Sequence, residues 1–202
     1  MPRRAKVRRP RTHRRPGRRP GGQSSRGAVL DAARAHFARH GYDATPIRAV
    51  AGDAGVDPSL VIQFYGSKDG LFDAVLEQQS GLSDKLRASL AGPRAGAGER
   101  FTRTYLQLWE DPVTGDVLRS LVRAAVGSER ASALLRTYGT GKLSRSEMSE
   151  ERRLGYILAT THLLGIAIGR YVVGIPLLVA PPLEELVHRL GPAIDKYLVM
   201  SE

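Results

Sequence analysis

The segment Thr45–Leu71, TPIRAVAGDAGVDPSLVIQFYGSKDGL, permits few folds. It contains two similar helix starts. Thr45 before Pro46, and Asp57 before Pro58, each place a capping side chain ahead of a proline. At the first helical position proline lacks only an N–H that has no intrahelical partner anyway. Ile47, Val50, Ala51 and Ala54 then fall on one helical face, and Gly55 stands where a left-handed residue ends a helix. The spacing predicts helices at about 46–53 and 58–65 joined by a short Gly-containing turn. This is the helix-turn-helix pattern, whose second helix enters the DNA major groove. Ser67 caps a further helix, expected to run unbroken over about 67–90, with Leu71, Phe72, Val75, Leu76, Gln79, Leu82 and Leu86 on its buried side.

Charge adds to this reading. The chain carries a net +11, and eleven of its 31 Lys and Arg residues lie within positions 1–26, where there is no acidic residue. Twenty basic and twenty acidic residues remain for positions 27–202, so the whole excess sits at one end. A segment so rich in Arg, Pro and Gly cannot bury a core and is expected to be a disordered arm (1–22). Such an arm suits phosphate binding by counterion release. An export signal needs an uninterrupted apolar stretch after its charges; here GAVLDAARAHFARHG follows, interrupted by Asp31, Arg34, His36 and Arg39. The chain has no Cys, which removes disulfides and Cys-based zinc sites and fits a reducing cytoplasm.

The remaining pattern is helical throughout. A first helix over about 25–40, capped by Ser24 or Ser25, carries Val29, Leu30, Ala33 and Phe37 on one stripe and ends at Gly41. AGPRAGAG at 91–98 is a break. Helices follow at about 99–110, 116–126, 129–138 and 142–147. Residues 150–173 are apolar enough to raise a transmembrane span, but His162, Arg170, Pro176 and several Gly favour a buried helix at a core or subunit seam. Pro181 and Pro182 start a last helix over about 182–199. Two long apolar C-terminal helices can form a four-helix contact with a second copy. The fold expected is all-α, about nine helices, with a helix-turn-helix domain over 23–83 and a ligand-binding and dimerisation domain over 84–202.

On the second helix of the motif, Val61 and Tyr65 face inward with Val56, leaving Ser59, Leu60 and Gln63 toward the groove, with Ile62 beside them. Gln pairs bidentately with adenine, and aliphatic side chains touch thymine methyls. Lys68 at a helix start opposes the dipole unless it meets a phosphate. Candidates for a small-molecule pocket are Phe101, Tyr105, Trp109, Tyr138, His162 and Tyr171, since pockets favour aromatics with a few polar groups. Core packing is the competing role for each. The five His residues show no metal-ligand spacing, and there is no G-x-S-x-G elbow or phosphate loop, so neither a metal, a cofactor nor an enzymatic activity is expected.

Residues 29–71 resemble the DNA-binding domain of the TetR family of bacterial transcriptional regulators. LDAARAHFARHGYDAT (30–45) is similar to that family's first helix and Gly-Tyr turn, IRAVAGDAGV (47–56) to its second helix and turn, and SKDGLF (67–72) to the start of its fourth helix. Ile62 and Phe64 stand where the family commonly has tyrosine and histidine, so no backbone contact is carried onto them. The resemblance implies phosphate or base contacts from Thr45 and Arg48, groove contacts from Ser59, Leu60 and Gln63, a phosphate contact from Lys68, and minor-groove or phosphate contacts from Arg18 and Arg19. It implies a cytoplasmic repressor that binds double-stranded operator DNA as a homodimer and responds to a small-molecule effector, with no membrane partner. The competing function is a nonspecific nucleic-acid or chromosome-organising protein driven by the arm.

Overall fold

The computed structural model describes residues 22–112, 114–139 and 149–199. The helix expected at 142–147, the residues Arg18 and Arg19, and the side chain of Tyr138 lie outside the described residues. Within them the regular structure is helical. Helix α1 spans Gly22–His40, α2 Ile47–Asp53, α3 Pro58–Tyr65, α4 Lys68–Ser80 and α5 Leu82–Ser89. Helix α6 spans Ala97–Glu110, α7 Thr114–Ala125, α8 Glu129–Gly139, α9 Glu150–Ala167, α10 Pro176–Val179 and α11 Leu183–Val199. A π-helical turn, Ile168–Val173, extends α9.

Helices α1–α4 form a head around three aromatic rings. Phe72 meets Phe37 and Tyr42 edge-on, with centroids 5.0 and 5.3 Å away. Val29, Ala33, Val50, Ala51, Val61 and Leu71 close around them, all fully buried. Edge-to-face pairs add about 0.5–1.5 kcal/mol to the burial of the rings themselves. Gly41, at φ +80, ends α1 and turns the chain toward α2, and Gly55, at φ +66, makes the turn into α3.

The body is built on the crossing of α6 and α11. Gly98 and Gly191 meet there. A Cβ on Gly98 would collide with the Gly191 carbonyl oxygen and the Asp195 backbone nitrogen, and one on Gly191 would strike Glu99. The Gly98 N–H, unpaired by its own helix, donates to the Asp195 carboxylate at 2.6 Å. Pro192 lies on the exposed side of α11 and does not interrupt this contact. Helix α9 buries Gly155, Tyr156, Ala159, Thr160, Leu163 and Ala167, while Leu154 and Leu158 stay exposed. Glu150–Val173 is long and apolar enough to cross a membrane by length and composition, and a third of its most apolar window is buried in the protein.

Three expectations are corrected and one element is added. The helix predicted to run over 67–90 is broken: Gly81 takes φ +57, ψ +36, a left-handed conformation that ends α4 and starts α5. Helix α1 begins at Gly22, so Ser24 and Ser25 lie within it rather than capping it. Thr45 does not cap α2, whose N-cap is Pro46; the Thr45 hydroxyl donates instead to the Gly41 carbonyl at 2.7 Å. A short helix, α10, lies between the two long C-terminal helices, its far end held by the Arg170 guanidinium, which donates to the carbonyls of Leu178, Val179 and Pro181.

Two glycines should respond oppositely to alanine in thermal denaturation. Gly52 is exposed on α2 with nothing near its missing Cβ, so Gly52→Ala should raise stability by about 1 kcal/mol through helix propensity. Gly98→Ala must push α11 off α6 and should cost about 2 kcal/mol or more.

Candidate nucleic-acid interface and ligand cavity

Helix α3 is fixed at both ends. The Asp57 carboxylate accepts from the Ser59 N–H at 2.8 Å and the Ser59 hydroxyl at 2.6 Å, and these hydrogen bonds hold its carboxyl below the usual range. At the other end the Tyr65 hydroxyl donates to the Arg26 carbonyl at 2.9 Å, and the Arg26 guanidinium lies 5.1 Å from the Tyr65 ring centroid while donating to the Phe64 carbonyl. Val61 is fully buried beneath. The outer face therefore presents Ser59, Gln63 and Ile62, the last 44% exposed, with Leu60 half-buried. Arg48 on the neighbouring α2 is exposed as well. Ser59 is on the expected face, though its hydroxyl serves the cap.

Two other residues expected to reach DNA are engaged inside the head. Thr45 is 1% exposed, locked to Gly41, so its side chain does not face outward. The Lys68 ammonium donates to the Asp43 carbonyl at 3.0 Å and sits 4.6 Å from the Tyr42 ring centroid. Partial burial lowers its pKa. Lys68 ties the α1–α2 turn to the start of α4, which explains a cation at an otherwise unfavourable helix end.

Next to Lys68, Asp69 accepts three hydrogen bonds. The Tyr42 hydroxyl donates to its Oδ1. Arg130, from α8 in the body, donates Nε to the same oxygen at 2.9 Å and Nη2 to Oδ2 at 2.7 Å. The Arg130 bonds, seconded by the Tyr42 hydroxyl, hold the Asp69 carboxyl below the usual range. Burial, reinforced by the carboxylate, pushes the Tyr42 phenol up to about 12. A forked guanidinium–carboxylate pair fixes orientation as well as distance. Head and body are thereby joined at the first turn of α4. Sequence reading missed this trio. Tyr42 and Asp69 lie within the motifs quoted above, but Arg130 stands 61 residues beyond Asp69 in an ordinary amphipathic helix and carries no local signal.

Inside the body, Leu82 and Leu86 of α5, Tyr105, Leu108 and Trp109 of α6, Leu118 of α7, Leu135 of α8 and Leu164 of α9 line a cavity of about 30 Å³. Of the aromatic candidates, Tyr105 and Trp109 line it, and burial raises the Tyr105 phenol well above its usual range. Three other candidates do not line it. Phe101 is fully buried, edge-on to Tyr156 at 5.6 Å. His162 packs against Tyr197 of α11 at 5.9 Å. Tyr171 stacks on Trp109 at 6.0 Å and donates to Glu110 at 3.0 Å. Among the described residues no cluster of His, Asp or Glu is arranged to hold a metal ion.

Comparison with known proteins agrees with this architecture. Residues 29–75 match the family described as bacterial regulatory proteins, tetR family, and residues 95–198 match the tetracyclin repressor-like C-terminal domain. An HTH-type transcriptional repressor of Streptomyces coelicolor is 35% identical over 57 residues, which cover 28% of this chain and 30% of that protein. This chain thus spans less than a third of the curated relative it matches. The crystal structure of a TetR-family regulator from Streptomyces coelicolor A3 is 33% identical, covering 91% of this chain and 99% of that one at a TM-score of 0.67. The SmeT–triclosan complex shares the fold at 17% identity and a TM-score of 0.59, covering 85% of this chain and 91% of that one. With its N-terminal and C-terminal domains matched in order, and with a structural relative 33% identical that covers 91% of this chain, the chain belongs to the TetR family of bacterial regulatory proteins.

Proposed function

We propose that this TetR-family regulator is an intracellular repressor that binds a palindromic operator as a homodimer and is released by a small apolar effector. The observation that carries the reading is helix α3. It is capped at one end and stapled at the other, with Ser59, Ile62 and Gln63 presented outward beside Arg48. Gln63 is the residue for a base edge, Ile62 for a thymine methyl and Arg48 for a phosphate. Lys68 contributes to DNA only by sharing its three donors between Asp43 and a phosphate. Arg18 and Arg19, with the rest of the arm, supply the positive charge that the remainder of the chain lacks.

Helix α9 supports the dimer. Leu154, 57% exposed, and Leu158 lie on one stripe with Thr161 and Gly165, at spacings of four, three and four. Gly165 has open space where a Cβ would stand, so a second helix can approach closely there. A two-fold pairing of α9 and α11 covers these residues and sets two α3 helices about one DNA turn apart, or a multiple of it. The leucine-lined cavity, with a phenol and an indole as its polar groups, is the effector site. A fold relative is known in complex with triclosan, an apolar phenolic compound in keeping with such a lining. The cavity is small, so an effector has to favour an expanded body and thereby shifts the population away from the DNA-binding form.

Retention of total genomic fragments in a gel-shift assay tests the function. A few discrete fragments should stay bound at high salt, whereas uniform retention that collapses with salt favours the nonspecific reading. Against a retained fragment, Gln63→Ala should lower discrimination by about 1–3 kcal/mol, and unchanged selectivity removes Gln63 from base reading. Deleting residues 1–17 should weaken all complexes and flatten the salt slope. Sedimentation should give a dimer, and a monomer at micromolar concentration sinks the two-headed arrangement.

A further inference from the structure

We propose that Arg130 is the residue that carries the state of the leucine-lined cavity to the DNA-binding head, by positioning Asp69. The proposal rests on the effector reading of that cavity and names the route by which it acts. Three observations lead to it.

The first is the break at Gly81. An unbroken helix over 67–90 would join the cavity directly to the head as one rod. The rod does not exist, because Gly81 is left-handed and α4 and α5 are separate rigid pieces. Leu82 and Leu86, the cavity residues on α5, lie beyond the break, where the Ser83 N–H and hydroxyl donate to the Glu77 carboxylate. Helix α5 therefore changes direction at Gly81 and does not continue the axis of α4 toward the head.

The second is the course of α8. Leu135 of this helix lines the cavity, and Arg130 lies five residues earlier on the same rigid element, about 7.5 Å along its axis. Ala131 and Leu134 are buried and hold the helix to the body. Whatever moves Leu135 outward moves Arg130.

The third is what Arg130 grips. It meets Asp69 at the head end of α4, beyond the break from α5, through its guanidinium Nε and Nη2. Asp69 is bound in turn to Tyr42, whose ring belongs to the head's aromatic core. The other head–body contacts run through α7, which packs on α1 and on α4 and flanks an open groove lined from Ala38 to Ala44 on the head and by Ser120, Arg123 and Ala124 on α7. A fork on a carboxylate tolerates little sliding, so it holds one head orientation or lets go. Asp69 keeps the favourable first-turn position of α4 and its bond to Tyr42 without Arg130, so the head does not need Arg130 to fold.

The chain's lack of cysteine makes a direct test simple. Spin labels at Ala35→Cys on the head and Gln107→Cys on the body, both exposed positions, report the intrachain distance by pulsed electron resonance, with labelled chain diluted in unlabelled. Leu135→Phe overfills the cavity and stands in for an effector; Leu164→Phe fills it from α9 if the first variant does not fold. With Arg130 present, either filling substitution should shift the distance by on the order of 2 Å or more. Arg130→Ala should broaden the distribution by itself, and filling the cavity should then move it no further. Arg130→Lys keeps the charge but not the fork and should restore the shift only in part. An equal shift with and without Arg130, or full coupling with Lys, overturns the proposal. The measurement uses neither DNA nor effector, so failure of the repressor reading would leave it intact, and its own failure would leave operator binding untouched.

Discussion

Tyr42 does two jobs with two parts of one side chain. Its ring is wedged between Phe37 and Phe72, which fixes the turn after α1 and so the position of α2. Its hydroxyl reaches the Asp69 carboxylate, which Arg130 holds from the body. The packing of the head and its orientation on the body thus converge on one residue at the Gly41–Tyr42 turn. Lys68 adds to the same knot, lying on the Tyr42 ring and donating to Asp43. Disturbing this junction affects both how the α3 face is presented and where the head points.

The head and the body are held together on different physical terms. The head is small and has an aromatic centre. A helix of eight residues has little stability of its own, and for α3 the Asp57 cap and the Tyr65–Arg26 staple supply what propensity does not, while Ser67 caps α4. The body depends on close approach. Glycines at positions 98 and 191 let α6 and α11 touch backbone to backbone, and the Asp195 carboxylate satisfies an N–H that α6 leaves open. Helix α6 of that pair supplies one wall of a leucine-lined space whose remaining walls come from α5, α7, α8 and α9. A site walled by several separately packed helices can expand when one of them moves, which suits a switch better than a preformed pocket would.

The site residues divide along the same line. Helical spacing alone separates the face of Val61 from that of Ser59 and Gln63, and the structure leaves both of these exposed, as it does Arg48, which came from the resemblance. Thr45 and Lys68 were assigned to DNA by resemblance, yet in the free head both are bonded to carbonyls of the α1–α2 turn. Nothing local shows that a carbonyl across a turn will take up a donor. Of the aromatic pocket candidates, Tyr105 and Trp109 line the cavity while Phe101, His162 and Tyr171 pack elsewhere. A helix of mixed aromatic and aliphatic residues offers several buried directions, and only the neighbouring helices decide which one contains a void.

Local chemistry written along the chain determined the elements. Proline after a capping residue, glycine after an apolar stripe and a 3.6-residue period placed the starts of the head helices to within a few residues, and the one-sided charge separated a basic arm from an electrically balanced remainder. These features act over four residues or fewer, so they can be read without knowing what packs where. Tertiary structure decided the rest. Gly81 took a left-handed conformation where periodicity continued straight through it, because α5 has to turn aside to pack on α6. Arg130 met Asp69 because the fold brings α8 to the start of α4. A forked pair between residues so distant in sequence depends on the placement of every helix between them, and no pattern of neighbours encodes that.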